Sequence, residues 1–271
     1  MIQDILPHRL RNEYHPDIQP QDNDRVLCFR EGQLLLDEAG RLPTVQQLGQ
    51  QGYRYLFSLD DDSYFLSPIP QPLPSGFAFF DVRQLRREQH FPQHETFALL
   101  TGKHLADWYR DSAFCGRCGT RTNHSPTERA MVCPSCGKTF YPRIMPAVIV
   151  GVKNGDKLLL TRYRTGFAYN ALIAGFTEIG ETAEQTVARE VMEEAGIRVK
   201  NIRYYASQPW GIANDLLLGY YCELDGDSTI RMDTQELKYA QWVRREDIEL
   251  QPDDFSLTND MMRRFKLGIE K

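Results

Sequence analysis

The run Gly175-Phe176-Thr177-Glu178-Ile179-Gly180-Glu181 leads into a stretch from Thr182 to Gly196 that reads as one helix. Thr182 with Gln185 three residues on makes a capping box, Gly196 supplies the C-terminal stop, and about fourteen residues lie between. Val187, Val191 and Ala195 recur at helical spacing and face a core. Glu190, Glu193 and Glu194 stand at i, i+3 and i+4, which crowds three carboxylates on the neighbouring stripe. Nothing in a fold gains from three adjacent anions unless a cation sits among them. Hard oxygen ligands suit Mg²⁺ or Mn²⁺, ions that also bind phosphate oxygens and activate water. Arg189 beside them can pin one carboxylate with a bidentate pair, and the glycines of the incoming loop let backbone carbonyls approach a metal. The chemistry this pattern predicts is metal-assisted hydrolysis of a diphosphate.

Cysteines carry the second signal. Of six, four form CGRC and CPSC, namely Cys115, Cys118, Cys133 and Cys136, each pair followed by a glycine, Gly119 or Gly137. Two such knuckles hold one tetrahedral Zn²⁺, and a shell of four thiolates leaves no open position, so the zinc is structural. His124, between the knuckles, reads as a surface residue because that shell is full. Cys28 and Cys222 sit in apolar runs and read as core thiols.

With 271 residues and 41% hydrophobic content the chain can bury a real core. A net charge of −5 argues against broad attraction to nucleic acid or membrane. The first residues lack the charged and apolar pattern of a signal peptide and no run approaches eighteen apolar residues, so a cytoplasmic enzyme with no membrane partner is expected. Three pieces follow from the pattern: a β-rich domain over 1–110, a zinc ribbon over 111–143 and a catalytic domain over 144–271. In the first, RVLCF, QLLLD, YRYLFSL and SYFLS read as strands, Ser67–Gly76 as a stiff connector, and Glu95 to Tyr109 as a helix. In the last, PAVIVGV and KLLLTRY flank Asn154-Gly155, a hairpin signal, and YYASQPW, LLLGYYCEL and ELKYAQWV read as further strands. A helix from about Leu257 to Ile269 closes an α/β/α sandwich, so the fold class is α+β.

The spacing of Gly175, Glu181, Arg189, Glu190, Glu193, Glu194 and Gly196, with aliphatics at Val191 and Ile197, is similar to the Nudix box. A β-rich start, a four-cysteine ribbon ending FYPR, this box and then SQPW ten residues past it together resemble the NADH pyrophosphatase family, also called NAD diphosphatases. The resemblance runs from about Val82 to the C-terminus. It implies cleavage of NAD(H) to AMP and nicotinamide mononucleotide, removal of NAD caps from RNA 5′ ends in some relatives, and a homodimer.

The resemblance also implies roles for single residues. Glu190, Glu194 and Glu236 would hold the catalytic metals with the carbonyl of Ala174, Glu193 and Arg189 completing the catalytic set. Gln208, Pro209, Trp210, Gly211, Ile212, Ala213, Asn214 and Asp215 would line the substrate, Tyr141 would contact it from a partner subunit, and Phe176 would stack on a ring. Glu128, Arg83 and Thr258 match further substrate-contacting positions. Trp210 and Gln208 suit a dinucleotide on their own chemistry, through stacking and hydrogen bonding. Two stretches depart from the family's form: Gly211-Ile212-Ala213-Asn214-Asp215 replaces PFPxS, and Ser256-Leu257-Thr258 stands where a small-residue signature ends in alanine. Both lie on the substrate side, so hydrolysis of ADP-ribose or another ADP-sugar is the alternative activity. A non-catalytic nucleotide sensor with a nucleic-acid-binding ribbon is the alternative class.

Overall fold

A computed structural model of the chain describes residues 1–49, 52–165 and 169–270. They form two compact units, one of Asp4–Arg143 with Gly211–Asn214, the other of Met1–Gln3, Ile144–Trp210 and Asp215–Lys271.

The N-terminal unit holds strands β1 (Leu10–Arg11), β2 (Arg25–Leu27), β3 (Phe29–Arg30) and β4 (Gln33–Asp37), a short helix α1 (Val45–Leu48), then β5 (Arg54–Leu59), β6 (Asp62–Leu66) and β7 (Phe77–Asp81). Helices α2 (Val82–Arg87) and α3 (Gln93–Asp111) follow, and β8 (Asn123–His124), β9 (Met131–Val132) and β10 (Thr139–Phe140) make the ribbon. The RVLCF run splits at buried Cys28: β2 joins the sheet β1-β5-β6-β2, and β3 joins β3-β4-β7. Leu34, Leu35 and Leu36 are all fully buried, which is why QLLLD does not alternate. Helix α3 comes close to β2 and β5 because Gly102 has no side chain; a Cβ there would fall 2.1 Å from Leu27 Cδ1. The ribbon is sewn to the strands before it by Tyr14, whose hydroxyl donates to the Ser125 carbonyl at 2.6 Å, and by Arg129, which donates to the carbonyls of Asn12 and Leu56.

The C-terminal unit is built on β11 (Met145–Asn154), β12 (Lys157–Tyr163), β13 (Ile173–Phe176), α4 (Ala183–Ala195), β14 (Val199–Trp210), β15 (Asp215–Leu224), β16 (Leu237–Arg244) and α5 (Leu257–Lys266). Its sheet runs β14-β15-β11-β12-β16, with β13 also paired to β11. Strand β11 lies parallel to β15, and the two share a central position. The AVIVGV run of β11 is buried without alternation because helices cover both faces. Val148, Val150 and Val152 meet Val187, Val191 and Ala195 of α4 on one side; Ala147 and Ile149 meet Leu257, Met261, Met262 and Phe265 of α5 on the other. This is the expected α/β/α sandwich. Gly151 makes room for Tyr221, whose ring would stand 2.7 Å from a Cβ there and whose hydroxyl donates to the Met261 carbonyl at 2.7 Å.

Two expectations shift in detail. The hairpin between β11 and β12 turns on Gly155 and Asp156, since Asn154 already pairs with Lys157 and Gly155 takes the positive φ of +61°. The segment read as a loop before the acidic helix begins as strand β13, because Ile173 to Phe176 find a vacant edge along β11. Among the described residues no helix is long and apolar enough to cross a membrane.

Candidate active site and metal centre

Helix α4 is held as its sequence predicts: Thr182 and Gln185 form the capping box and Gly196 closes the end at φ +67°. Its core stripe therefore sets the acidic stripe beside it. Glu190 and Glu194 are buried, 9% and 2% exposed, while Glu193 lies open to solvent. The Glu190 carboxylate occupies the space of a missing side chain, since a Cβ on Gly175 would fall 1.9 Å from Glu190 Cδ. That contact explains the glycine better than any turn: β13 must be bare at that point for the carboxylate to lie against it.

Arg189 organises the cluster. Its Nε and Nη2 form a bidentate pair with Glu181 at 2.7 and 2.9 Å, Nη1 donates to Glu190 at 2.6 Å and Glu193 at 3.0 Å, and Nη2 also donates to the Phe176 carbonyl at 2.8 Å. The guanidinium holds the Glu181 carboxyl down at about 2. Every donor named is spent on the protein, so Arg189 orients the carboxylates around it.

Glu194 is met differently. Burial first, then the charges of Glu190 and Glu236, push its carboxyl up to about 8. The groups beside it are neutral: the Tyr163 hydroxyl lies 3.4 Å from both its oxygens and accepts the Ala174 N–H at 3.2 Å. Tyr163 was not among the residues singled out from the sequence. Its place on the strand puts it on the same face as Leu159, which packs against α4, and a register shift against β16 falls between Arg162 and Tyr163. Glu190 is likewise pushed up by burial, against the pull of Arg189.

Glu236, just before β16, is exposed, and its charge reaches both Glu190 and Glu194. The three carboxylates do not all come within 4.8 Å of one another. Two buried hard-oxygen donors, one of them with neutral neighbours alone in contact, fit a divalent cation, with the Ala174 carbonyl facing the same place through Tyr163 at 3.5 Å.

The four ribbon cysteines converge. Cys115, Cys118, Cys133 and Cys136 bring their sulfurs within 4.8 Å of one another, the one such set of three or more ligands among the described residues. The two knuckles match: Gly119 N–H donates to the Cys115 carbonyl at 2.8 Å and Gly137 N–H to Cys133 at 3.0 Å, both glycines at positive φ. Four cysteine sulfurs gathered in this way fit structural zinc. His124 stands outside the cluster, half-buried with its ring 5.2 Å from Tyr109, and burial pulls it down to about 4; it is a packed residue and not the surface one expected.

The residues expected on the substrate side divide among several settings. Phe176 ends β13 half-exposed, Pro209 is exposed, and Trp210 is partly covered against the α5 core. Gln208 is fully buried: its amide donates to the Phe255 carbonyl at 2.7 Å and to Gln3 at 3.2 Å, and its oxygen accepts the Leu257 N–H at 2.6 Å. That amide is committed to Gln3, Phe255 and the start of α5, and so is not presented to a ligand. Thr258 lies half-buried in the first turn of α5, which Ser256 caps. Asp215 is 6% exposed; burial pushes its carboxyl up to about 6, and its Oδ1 has no partner among the described residues. In the N-terminal unit Tyr141 donates to Glu128 at 3.2 Å, both exposed, and Arg83 lines a cavity of 320 Å³ with Glu31, Asp81, Lys103 and Ile212. Gly211, Ala213 and Asn214 form the rest of the turn that carries Ile212.

Comparison with known proteins agrees with this geometry. A family model described as NUDIX domain matches residues 143–265, and one described as NADH pyrophosphatase zinc ribbon domain matches residues 110–141. Curated proteins called NAD-capped RNA hydrolase NudC from Shigella flexneri and Citrobacter koseri are each 46% identical over 154 residues, covering 56% of this chain. The chain spans 59% of the length of those relatives. The crystal structure of a NUDIX hydrolase from Nitrosomonas europaea superposes with a TM-score of 0.51 at 24% identity, over 57% of this chain and 90% of that one, which shows the fold. The chain therefore carries a Nudix domain led by a zinc ribbon of the NADH pyrophosphatase kind.

Proposed function

We propose that the chain hydrolyses the diphosphate bond of NAD(H), releasing AMP and nicotinamide mononucleotide, and cleaves the same bond where NAD caps an RNA 5′ end. The observation that carries the reading is the pair of buried carboxylates, Glu190 against Gly175 and Glu194 against Tyr163, in a chain 46% identical over 154 residues to a protein called NAD-capped RNA hydrolase. Glu190, Glu194, Glu236 and the Ala174 carbonyl would hold Mg²⁺ or Mn²⁺, which when bound supplies charge for the phosphate oxygens and acidifies water. Arg189 keeps Glu190 and Glu193 in place. In the reaction water adds one oxygen to one phosphorus, the P–O bridge breaks, and the leaving phosphate keeps the bridging oxygen. Glu194 and Glu236 are the two groups suited to take the proton of water. Their Gln variants separate base from ligand, since added metal rescues a weakened ligand and does not replace a lost base.

On the substrate side, Phe176, Pro209 and Trp210 supply apolar and aromatic surface for the rings, with Thr258, Asp215 and the turn Gly211–Asn214 completing the lining. Arg83 and the pair Glu128 and Tyr141 add polar contacts, the latter pair from the second chain of a homodimer. A reducing, cytoplasmic setting suits the four free thiols of the ribbon. Incubating purified protein with Mn²⁺ and NADH, NAD⁺ or ADP-ribose in turn tests the reading. AMP and reduced mononucleotide should dominate from NADH; preferential release of AMP from ADP-ribose would make the chain an ADP-sugar diphosphatase instead.

A further inference from the structure

We infer that Lys103 is a positioning residue: it clamps the turn Gly211–Asn214, and through that turn sets which diphosphate substrate the chain accepts. The inference rests on the activity proposed above, in which this turn lines the substrate. Lys103 lies on α3, more than a hundred residues from the turn in sequence. Its Nζ donates to Asp107 Oδ2 at 2.7 Å and to the Ile212 carbonyl at 3.3 Å. A lysine and aspartate four apart on a helix are ordinarily a solvated pair of little consequence. Here the two side chains are only 13% and 12% exposed, and Asp107 is fixed from its other oxygen by Arg110 at 2.9 Å. A nearly buried ammonium must spend its donors on protein groups, and one of them goes to the backbone of the turn.

The turn is tied to the same helix at a second point. A Cβ on Gly211 would fall 2.1 Å from the Leu100 carbonyl oxygen, so backbone lies directly on backbone where the turn begins. Asn214 ends it in the left-handed region at φ +66°. Helix α3 is itself packed closely beneath the turn, with Gly102 against Leu27. Trp210, which precedes the turn, and Asp215, which follows it, pair across β14 and β15. Within the turn, Ile212 is therefore held by the hydrogen bond from Lys103 to its carbonyl and by the closeness of Gly211 to Leu100. Since this turn is where the chain departs from the PFPxS form, the clamp holds in place a lining particular to this sequence.

The test uses the full chain with Mg²⁺ and the variants Lys103→Met, which keeps the stem and loses the donors, and Lys103→Arg, which keeps a donor. Steady-state kinetics with NADH and ADP-ribose are read together with amide hydrogen exchange of residues 211–214. Lys103→Met should raise KM for the preferred substrate about tenfold with kcat within about twofold, narrow the preference between the two, and speed exchange in the turn about tenfold. Lys103→Arg should restore most of each. If Lys103→Met does not fold, Gly211→Ala, which forces the turn off Leu100 and leaves Lys103 intact, should show the same rise in KM. Unchanged exchange in the turn, or a KM within twofold of wild type for every substrate that the wild type cleaves, overturns the inference. Failure of the proposed activity is seen separately, as wild-type protein that releases no AMP, and the exchange measurement still decides whether Lys103 holds the turn.

Discussion

At the scale of single residues, the site depends on carboxylates kept out of water at fixed places. Gly175 is the sharpest case, because its missing side chain is the space that Glu190 fills. Gly175→Ala should leave the fold intact by circular dichroism and lower kcat by about 10²-fold or more, the scale of loss expected when a reacting geometry is displaced by an ångström. Glu194 gives a pH dependence. Its carboxyl is raised to about 8, chiefly by burial, so in metal-free protein it contributes stability below its ordinary value of 4.5 and loses it as pH rises through about 8. A divalent ion demands the anion and displaces the proton. Mn²⁺ affinity, measured by calorimetric titration, should therefore tighten by up to about tenfold per pH unit between pH 6 and 8 and then level off; a flat profile would show that Glu194 is not a ligand. Glu190, Glu193, Glu194 and the four cysteines were legible from spacing alone. Tyr163, Lys103 and the committed amide of Gln208 were not, since each acts through a residue distant in sequence.

At the scale of elements, caps and periodicity carried the reading well. The capping box at Thr182 and Gln185 and the left-handed Gly196 bound α4 where the sequence placed its ends, and β14, β15 and β16 fall on the runs read as strands. The β13 strand was missed because four residues with a glycine among them show no period; only the edge offered by β11 makes them a strand. Helix α5 seals the face opposite α4. Met261 is fully buried in contact with Gly151 and Gly219, its Cε and Sδ 3.5 and 3.0 Å from where their Cβ atoms would be. Both glycines are shaped to that side chain. Met261→Ala should cost about 2–5 kcal/mol in urea unfolding, the range for a large side chain removed from a closed core. A loss under about 1 kcal/mol would mean that α5 settles into the gap, as loosely packed sites do.

At the scale of the whole molecule, the order of parts could be read more readily than their grouping. The residues before the ribbon and the ribbon itself cluster as one unit, through hydrogen bonds from Tyr14 and Arg129 that no local pattern announces. The same clustering takes Gly211–Asn214 out of the catalytic unit and Met1–Gln3 into it, where Gln3 donates to the Ser207 carbonyl at 3.0 Å. Such exchanges are invisible to composition, because each joins a side chain to a backbone carbonyl distant in sequence. The net charge of −5 remains compatible with an RNA substrate if binding is confined to the cap and the first nucleotides. All of these readings depend on the acidic stripe of α4 being a metal site. Anomalous diffraction from crystals soaked in Mn²⁺ tests that most directly. Manganese peaks bonded to Glu190 and Glu194, lost in Glu194→Gln together with release of AMP from NADH, are the expected result; crystals that show no manganese at these carboxylates while the protein still cleaves NADH would contradict it.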